Sequence, residues 1–266
     1  VKVTFLEKGK YAFTADAVYL NFLESLEYKA DAKQLRGSVM LVGPMLSKYG
    51  KGSIPRPGGD KIGRRRLDTH FEGLKLLGAH FSYSKEDYFY NVTADQLQGQ
   101  DLLLEEASVT GTANIIMAAV LAQGITTIYN AACEPYLQQL CRMLNSMGAK
   151  ISGVGSNLLT IEGVSTLSGA EHRILPDMVE IGSWIGLAAM TKSEITIQNV
   201  SWDNLGQIPN VFSKLGIQLE RKGDDIFIPS HNNGYEIQSY IDGSILTVSD
   251  APWPGFTPDL LSIVLV

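Results

Sequence analysis

Positive charge is in short supply in this chain of 266 residues: 22 lysines and arginines stand against 28 aspartates and glutamates, a formal net charge of −6. A nucleic-acid binder needs a basic surface that neutralises phosphates along its footprint, so that class is excluded, and any anion must meet a local basic patch. Long hydrophobic runs are missing too. The longest, Ile115 to Ala122, is far short of the roughly 20 apolar residues that span a bilayer. No signal-peptide pattern follows Val1, so a cytoplasmic location with no membrane partner is expected. Cys133 and Cys141 are the only cysteines, and their spacing matches neither a metal knuckle nor a redox pair. Two buried free thiols are expected. The histidines, His70, His80, His172 and His231, are scattered along the chain, which gives a metal site no support.

What is present can build a core. Hydrophobic residues at 45% and charged residues at 19% exclude a largely disordered chain. The length exceeds the usual size of one core, so two domains of about 100 to 200 residues each are expected.

An internal repeat decides the architecture. The stretch Leu67 to Ala79 recurs as Tyr136 to Ala149 and again as Leu205 to Ile217, which sets Gly78, Gly148 and Gly216 at spacings of 70 and 68 residues. In each copy apolar residues return every three or four positions, and the glycine stands where a helix needs a left-handed C-terminal cap. Two short β-type runs follow, such as Lys150 to Ser152 and Leu158 to Glu162, with turn residues between them. A second, more apolar helix comes next, Ala113 to Gln123 in one copy and Val179 to Thr191 in another, and then a β-branched strand, Ile125 to Tyr129 or Ile195 to Ile197. The unit is helix, two strands, helix, strand. Apolar nearly all round, the second helices should lie inside with the strands outside them. Val1 falls midway through such a unit and Val266 inside an apolar helix, so two units are complete, two are cut, and both chain ends are expected to be missing. The Ile174-Leu175-Pro176 step is the expected division, because proline disfavours helix in the preceding residue.

Three segments, Arg56 to His70, Ser108 to Thr112 and Ala251 to Asp259, resemble in this order the signature stretches of UDP-N-acetylglucosamine enolpyruvyl transferases. Similarity also covers Asn130 to Pro135 and Arg173 to Asp177, and so nearly the whole chain. The resemblance implies an α/β fold, the inside-out α/β barrel, with two domains of three repeat units each and an active site in the cleft between them. Residues 1–175 would then hold the UDP-sugar and lid stretches, and residues 176–266 part of the second barrel domain. The implied reaction moves the enolpyruvyl group of phosphoenolpyruvate onto the 3-hydroxyl of UDP-N-acetylglucosamine and releases phosphate through a tetrahedral ketal. These two small molecules are the implied partners, and no metal or organic cofactor is needed.

Such chemistry needs an acid for the methylene carbon, a base for the sugar hydroxyl, and cations for phosphate and carboxylate. The stretch Gly50 to Gly63 carries two prolines and five glycines and reads as a mobile loop able to fold over a ligand. By the family pattern Arg65 holds phosphoenolpyruvate, Arg66, Leu67, Asp68 and Thr69 lie along the uridine, and Arg36 is another substrate arginine. Planar guanidinium groups suit bidentate contacts to phosphate and carboxylate. Without the resemblance, Arg64 to Arg66 read as a solvated face. Glu106, Ala107, Ser108, Val109 and Thr110 fall on the diphosphate stretch, which opens an apolar helix whose N-terminal N–H groups favour an anion; the plainer role there is an N-cap. Glu106 stands where the family often has lysine. Asp259 falls on the aspartate acting as base, and its plainer role is helix-start capping. Asp60 stands where most of the family has a cysteine proton donor and some members an aspartate, which implies insensitivity to the epoxide fosfomycin. His70 reads as a structural helix residue. Two rival functions stay open: the shikimate-pathway enolpyruvyl transferase, and a non-catalytic nucleotide-sugar binder.

Overall fold

Each repeat helix ends as its glycine dictates. In the computed structural model, which describes every residue except 16–17, 56–66, 85–88 and 231–233, Gly78, Gly148 and Gly216 have φ of +101°, +103° and +91°. The three helix ends share one hydrogen-bond pattern. Ala79 N–H donates to Leu74 O, Ala149 N–H to Leu144 O and Ile217 N–H to Phe212 O, while each glycine N–H donates three residues back. This is the Schellman closure, and the residue after each glycine is buried together with its apolar partner on the last turn. A side chain with a Cβ strains that left-handed position, so glycine is what permits the following strand to fold back.

The chain forms two compact units, one of Val1–Leu102, Thr110–Thr126 and Glu162–Ser165, the other of Leu103–Val109, Thr127–Ile161 and Thr166–Val266. The first opens with the hairpin β1 (Lys2–Glu7) and β2 (Lys10–Thr14), followed by α1 (Leu26–Gln34), α2 (Val42–Tyr49) and β3 (Lys51–Pro55). Then come the repeat elements α3 (Asp68–Leu76), β4 (His80–Ser84) and β5 (Phe89–Thr93), the short β6 (Asp101–Leu103) and α4 (Val109–Ala119), after which β7 (Ile125–Tyr129) falls mostly in the second unit. β3, β5 and β4 pair antiparallel in that order, with Ile54 opposite Tyr90 and Tyr83 opposite Tyr90. Residues 51–55 are therefore strand, where the glycine and proline content predicts loop. Gly50, in the left-handed conformation, stops α2, and the segment then finds a long-range partner in β5 that overrides its local preference.

α4 starts at Val109, within the stretch expected to open it, and ends at Ala119, short of the expected Gln123, its last turn loosening where Ala122 N–H donates to Ala119 O. It is the core helix of its unit: Ile115, Ile116, Ala118 and Ala119 are fully buried, and each isoleucine so buried contributes about 1.5–3 kcal/mol. α3 packs on it at Gly73, where a Cβ would meet the Ile115 side chain at 2.3 Å.

The second unit continues the repeat with α5 (Pro135–Ser146), β8 (Lys150–Ser152), β9 (Leu158–Glu162), α6 (Met178–Thr191) and β10 (Ile195–Ile197). The third copy follows as α7 (Ile208–Lys214), β11 (Glu220–Lys222) and β12 (Asp225–Ile228), and α8 (Leu261–Leu265) lies near the end. The sheets run β6-β7-β9-β8 and β10-β12-β11. The bounds of β7, β8, β9 and β10 are those the alternation predicts. Ile181, Ile185, Phe212, Ile226 and Ile228 centre the core, and Asp177 caps α6 by accepting from Val179 N–H at 2.8 Å. α6 is not buried all round, because Trp184, Leu187 and Met190 share an exposed face. The expected division at Pro176 falls inside this second unit. Among the described residues no helix is long and apolar enough to cross a membrane.

Candidate functional site

The first unit holds a buried polar chain around Asn114 of α4. Asn114 is fully buried, and its Oδ1 accepts from Gly43 N–H at 2.7 Å while its Nδ2 donates to Val39 O at 2.8 Å. Nδ2 also lies 3.0 Å from His70 Nδ1. On the other side of the ring, His70 Nε2 lies 3.1 Å from Thr110 Oγ1. His70 is only 2% exposed. Burial, and then the nearby Arg36 guanidinium, push its pKa down to about 4, so the ring is neutral at physiological pH.

This histidine, read as structural from sequence, is thus the point where three expected site stretches meet: Arg36, the opening of α3, and Thr110. Arg36 starts the 3₁₀ turn Arg36–Leu41 and is half-buried. Leu67 and Asp68 are half-buried at the start of α3, while Thr69 is buried. Glu106 is exposed and accepts from Ser108 N–H at 2.8 Å, Ala107, Ser108 and Val109 are half-buried, and Thr110 is exposed in the first turn of α4. Asp60, Arg65 and Arg66 lie outside the described residues.

The second unit places Asp259 in the 3₁₀ turn Pro258–Leu260, exposed at the lip of a cavity of about 480 Å³ that Tyr136, Gln139 and Asp177 also line. The turn leading to it is anchored by Phe256, buried against Phe212 at 6.4 Å between ring centroids. Leu175 N–H donates to Gln139 Oε1 across the cavity wall. Burial and the carboxylates of Glu134, Asp259 and Asp177 push the Tyr136 hydroxyl up to about 12, which keeps it a neutral donor. Glu134 is buried, and its Oε2 has no hydrogen-bond partner among the described residues.

Sequence reasoning passed over Glu134, Tyr136 and Asp177 as site residues. A signal was there: Glu134-Pro135, Pro176-Asp177 and Pro258-Asp259 each set an acid beside a proline at a helix start. Such a group of carboxylates with one neutral phenol can accept a proton from an alcohol and hold sugar-type hydroxyls by hydrogen bonds. Among the described residues no group of three acids, histidines or cysteines has the geometry of a metal site.

The chain is 65% identical to a UDP-N-acetylglucosamine 1-carboxyvinyltransferase of Bacteroides thetaiotaomicron, with 99% of this chain and 61% of that one covered. It is 59% identical to the protein of the same name from Porphyromonas gingivalis, over 100% of this chain and 61% of that one. The chain thus spans about three-fifths of the length of these relatives. Its fold is that of the enolpyruvyl transferases: it matches the crystal structure of the enolpyruvyl transferase NikO from Streptomyces tendae with a TM-score of 0.71 at 14% identity, over 90% of this chain and 55% of that one. The family model for EPSP synthase (3-phosphoshikimate 1-carboxyvinyltransferase) matches residues 2–265, and the chain belongs to that family.

Proposed function

We propose that the complete protein transfers the enolpyruvyl group of phosphoenolpyruvate to the 3-hydroxyl of UDP-N-acetylglucosamine and releases inorganic phosphate, the first committed step of peptidoglycan precursor synthesis, in the cytoplasm. The observation that carries this reading is the 65% identity, along essentially the whole chain, to a relative named for that activity. The sugar oxygen adds to C2 of phosphoenolpyruvate as its proton leaves to a base, and C3 gains a proton from an acid. Loss of phosphate from the resulting ketal, with a proton from C3, restores the double bond. Asp259 is the base and Asp60 the acid. Arg36 and Arg65 hold the anionic reactants, Arg66 to Thr69 run along the uridine, and Glu106 to Thr110 border the diphosphate at the positive end of α4. No metal or organic cofactor enters. Residues 1–175 carry the UDP-sugar and lid stretches, and residues 176–266 carry the base.

Support for the roles comes from placement. Arg36, the start of α3 and Thr110 surround His70, and Asp259 faces a cavity with a neutral tyrosine and a second acid. Phosphate release from the complete protein, given phosphoenolpyruvate and either UDP-N-acetylglucosamine or shikimate 3-phosphate, tests the reading. Release with the nucleotide sugar alone is the expected result. Release with shikimate 3-phosphate instead would assign the shikimate-pathway reaction, and binding of the nucleotide sugar without release would make the protein a binder.

A further inference from the structure

His70 is buried, and its protons can be assigned atom by atom. Gly43 N–H can only donate, so the amide atom facing it at 2.7 Å is Asn114 Oδ1. The opposite amide orientation would set two donors face to face at Gly43 and two acceptors face to face at Val39 O. Asn114 Nδ2 therefore donates to Val39 O and to His70 Nδ1. A ring nitrogen that accepts carries no proton, so the proton of the neutral imidazole sits on Nε2. Nε2–H in turn donates to Thr110 Oγ1 at 3.1 Å. Burial and the charge of Arg36 oppose a second proton on the ring. A backbone N–H of α2 thus decides the amide, the amide decides the tautomer, and the tautomer decides the hydroxyl.

Thr110 is exposed in the first turn of α4, and His70 is the only side-chain hydrogen-bond partner of its hydroxyl among the described residues. With one lone pair committed to His70, the single hydroxyl proton must point away from the ring. We propose that His70 is a positioning residue, which through Nε2–H presents the Thr110 hydroxyl as a fixed donor to a phosphate oxygen of the nucleotide diphosphate at the N-terminus of α4. This inference rests on the nucleotide-sugar reading above. A pre-aimed hydroxyl gives up no rotational freedom when the anion arrives, and a donor bonded to a charged oxygen is stronger than one bonded to a neutral acceptor.

Calorimetry of the complete protein with UDP-N-acetylglucosamine tests this as a double-mutant cycle. Thr110→Val should weaken binding by about tenfold or more, as loss of a charge-assisted hydrogen bond does. His70→Leu should weaken it by a similar factor, and the double variant no further than Thr110→Val alone. His70→Gln, whose side-chain N–H can replace Nε2–H, should stay within about threefold of wild type. In steady-state kinetics the losses should raise KM for the nucleotide sugar and leave kcat in place. Additive losses, or full affinity in His70→Leu, would overturn the proposal while wild-type binding keeps the nucleotide-sugar reading intact; no binding by wild type would refute that reading itself. Should His70→Leu fail to fold, nitrogen-15 NMR of the wild-type ring at neutral pH decides. An unprotonated Nδ1 with a protonated Nε2 is expected, and the reverse tautomer or a charged ring overturns the assignment.

Discussion

Gly43 stands so close to Asn114 that a Cβ on it would lie 2.3 Å from the Asn114 carbonyl oxygen and 2.7 Å from its Oδ1. The glycine is required by this approach of α2 to α4, because only a residue without a side chain lets its N–H reach the amide at 2.7 Å. Gly43→Ala should force the two helices apart and cost about 1–3 kcal/mol by overpacking, with the orphaned amide adding to it. Urea denaturation measures the loss, and a stability equal to wild type would show that the contact yields freely.

Acid should weaken the fold through His70. Its folded-state pKa is about 4 against an ordinary 6.5, so between these values the unfolded chain takes up a proton that the folded chain refuses. The stability due to the neutral ring is fully present above pH 6.5 and falls as pH drops through this window, by about 3 kcal/mol in all. His70→Gln removes the titration. The difference between wild type and this variant, followed by denaturation at about pH 7 and about pH 4.5, should therefore shrink or reverse toward the acid side.

The repeat was legible because its signals are local. Gly78, Gly148 and Gly216 announce their helix ends through a backbone requirement that no tertiary contact can supply, and each takes positive φ. The strands at 125–129, 150–152, 158–162 and 195–197 alternate clearly enough to be bounded. Lys51–Pro55 became a strand because β5 pairs with it from 38 residues away in the case of Ser53 and Asn91, a partnership that glycine and proline content does not announce. The same distance effect hid the role of His70. Its partners Asn114 and Thr110 lie 44 and 40 residues further on, so the hydrogen-bonded chain exists only once α3 and α4 have packed. Asp259, Leu67 to Thr69 and Ser108 to Thr110 take their proposed roles from the family resemblance alone, since an acid after proline or a small-residue turn serves equally well as a plain cap.

Two of the repeat glycines should respond differently to alanine. Around Gly148 no atom of the described residues beyond its chain neighbours lies within 4 Å of an added Cβ, so Gly148→Ala meets the left-handed backbone strain, about 1 kcal/mol. At Gly216 the same Cβ would stand 2.7 Å from Glu236 O and 2.8 Å from Glu236 N. That neighbouring backbone is itself tied down, as Gln238 N–H donates to Lys214 O at 2.9 Å. Gly216→Ala should therefore cost about 1–3 kcal/mol beyond the strain. Thermal unfolding of both variants checks the order, and equal losses would mean that residues 236–238 shift without resistance.

Asp60, proposed as the acid, makes a chemical prediction about fosfomycin. This epoxide inactivates the cysteine-bearing members of the resembling family when the thiolate sulfur attacks an epoxide carbon, the C–O bond opens, and the alkoxide takes up a proton. A carboxylate is a far weaker nucleophile toward such a carbon than a thiolate, so time-dependent inactivation of this protein should be absent. The two native thiols are poor substitutes. Burial pushes Cys141 up to about 11, and burial together with Glu134 raises Cys133, whose Sγ donates to Trp253 O at 3.3 Å. Neither supplies much thiolate at neutral pH. Asp60→Cys should create sensitivity while keeping turnover, because either group can deliver a proton once the site has tuned its pKa. Both proteins are incubated with fosfomycin over a time series, assayed for phosphate release and weighed intact by mass spectrometry. Loss of activity with a mass gain of one inhibitor is expected for the cysteine variant alone, and a covalent adduct on the native protein would refute the assignment of Asp60 as a carboxylate that resists alkylation.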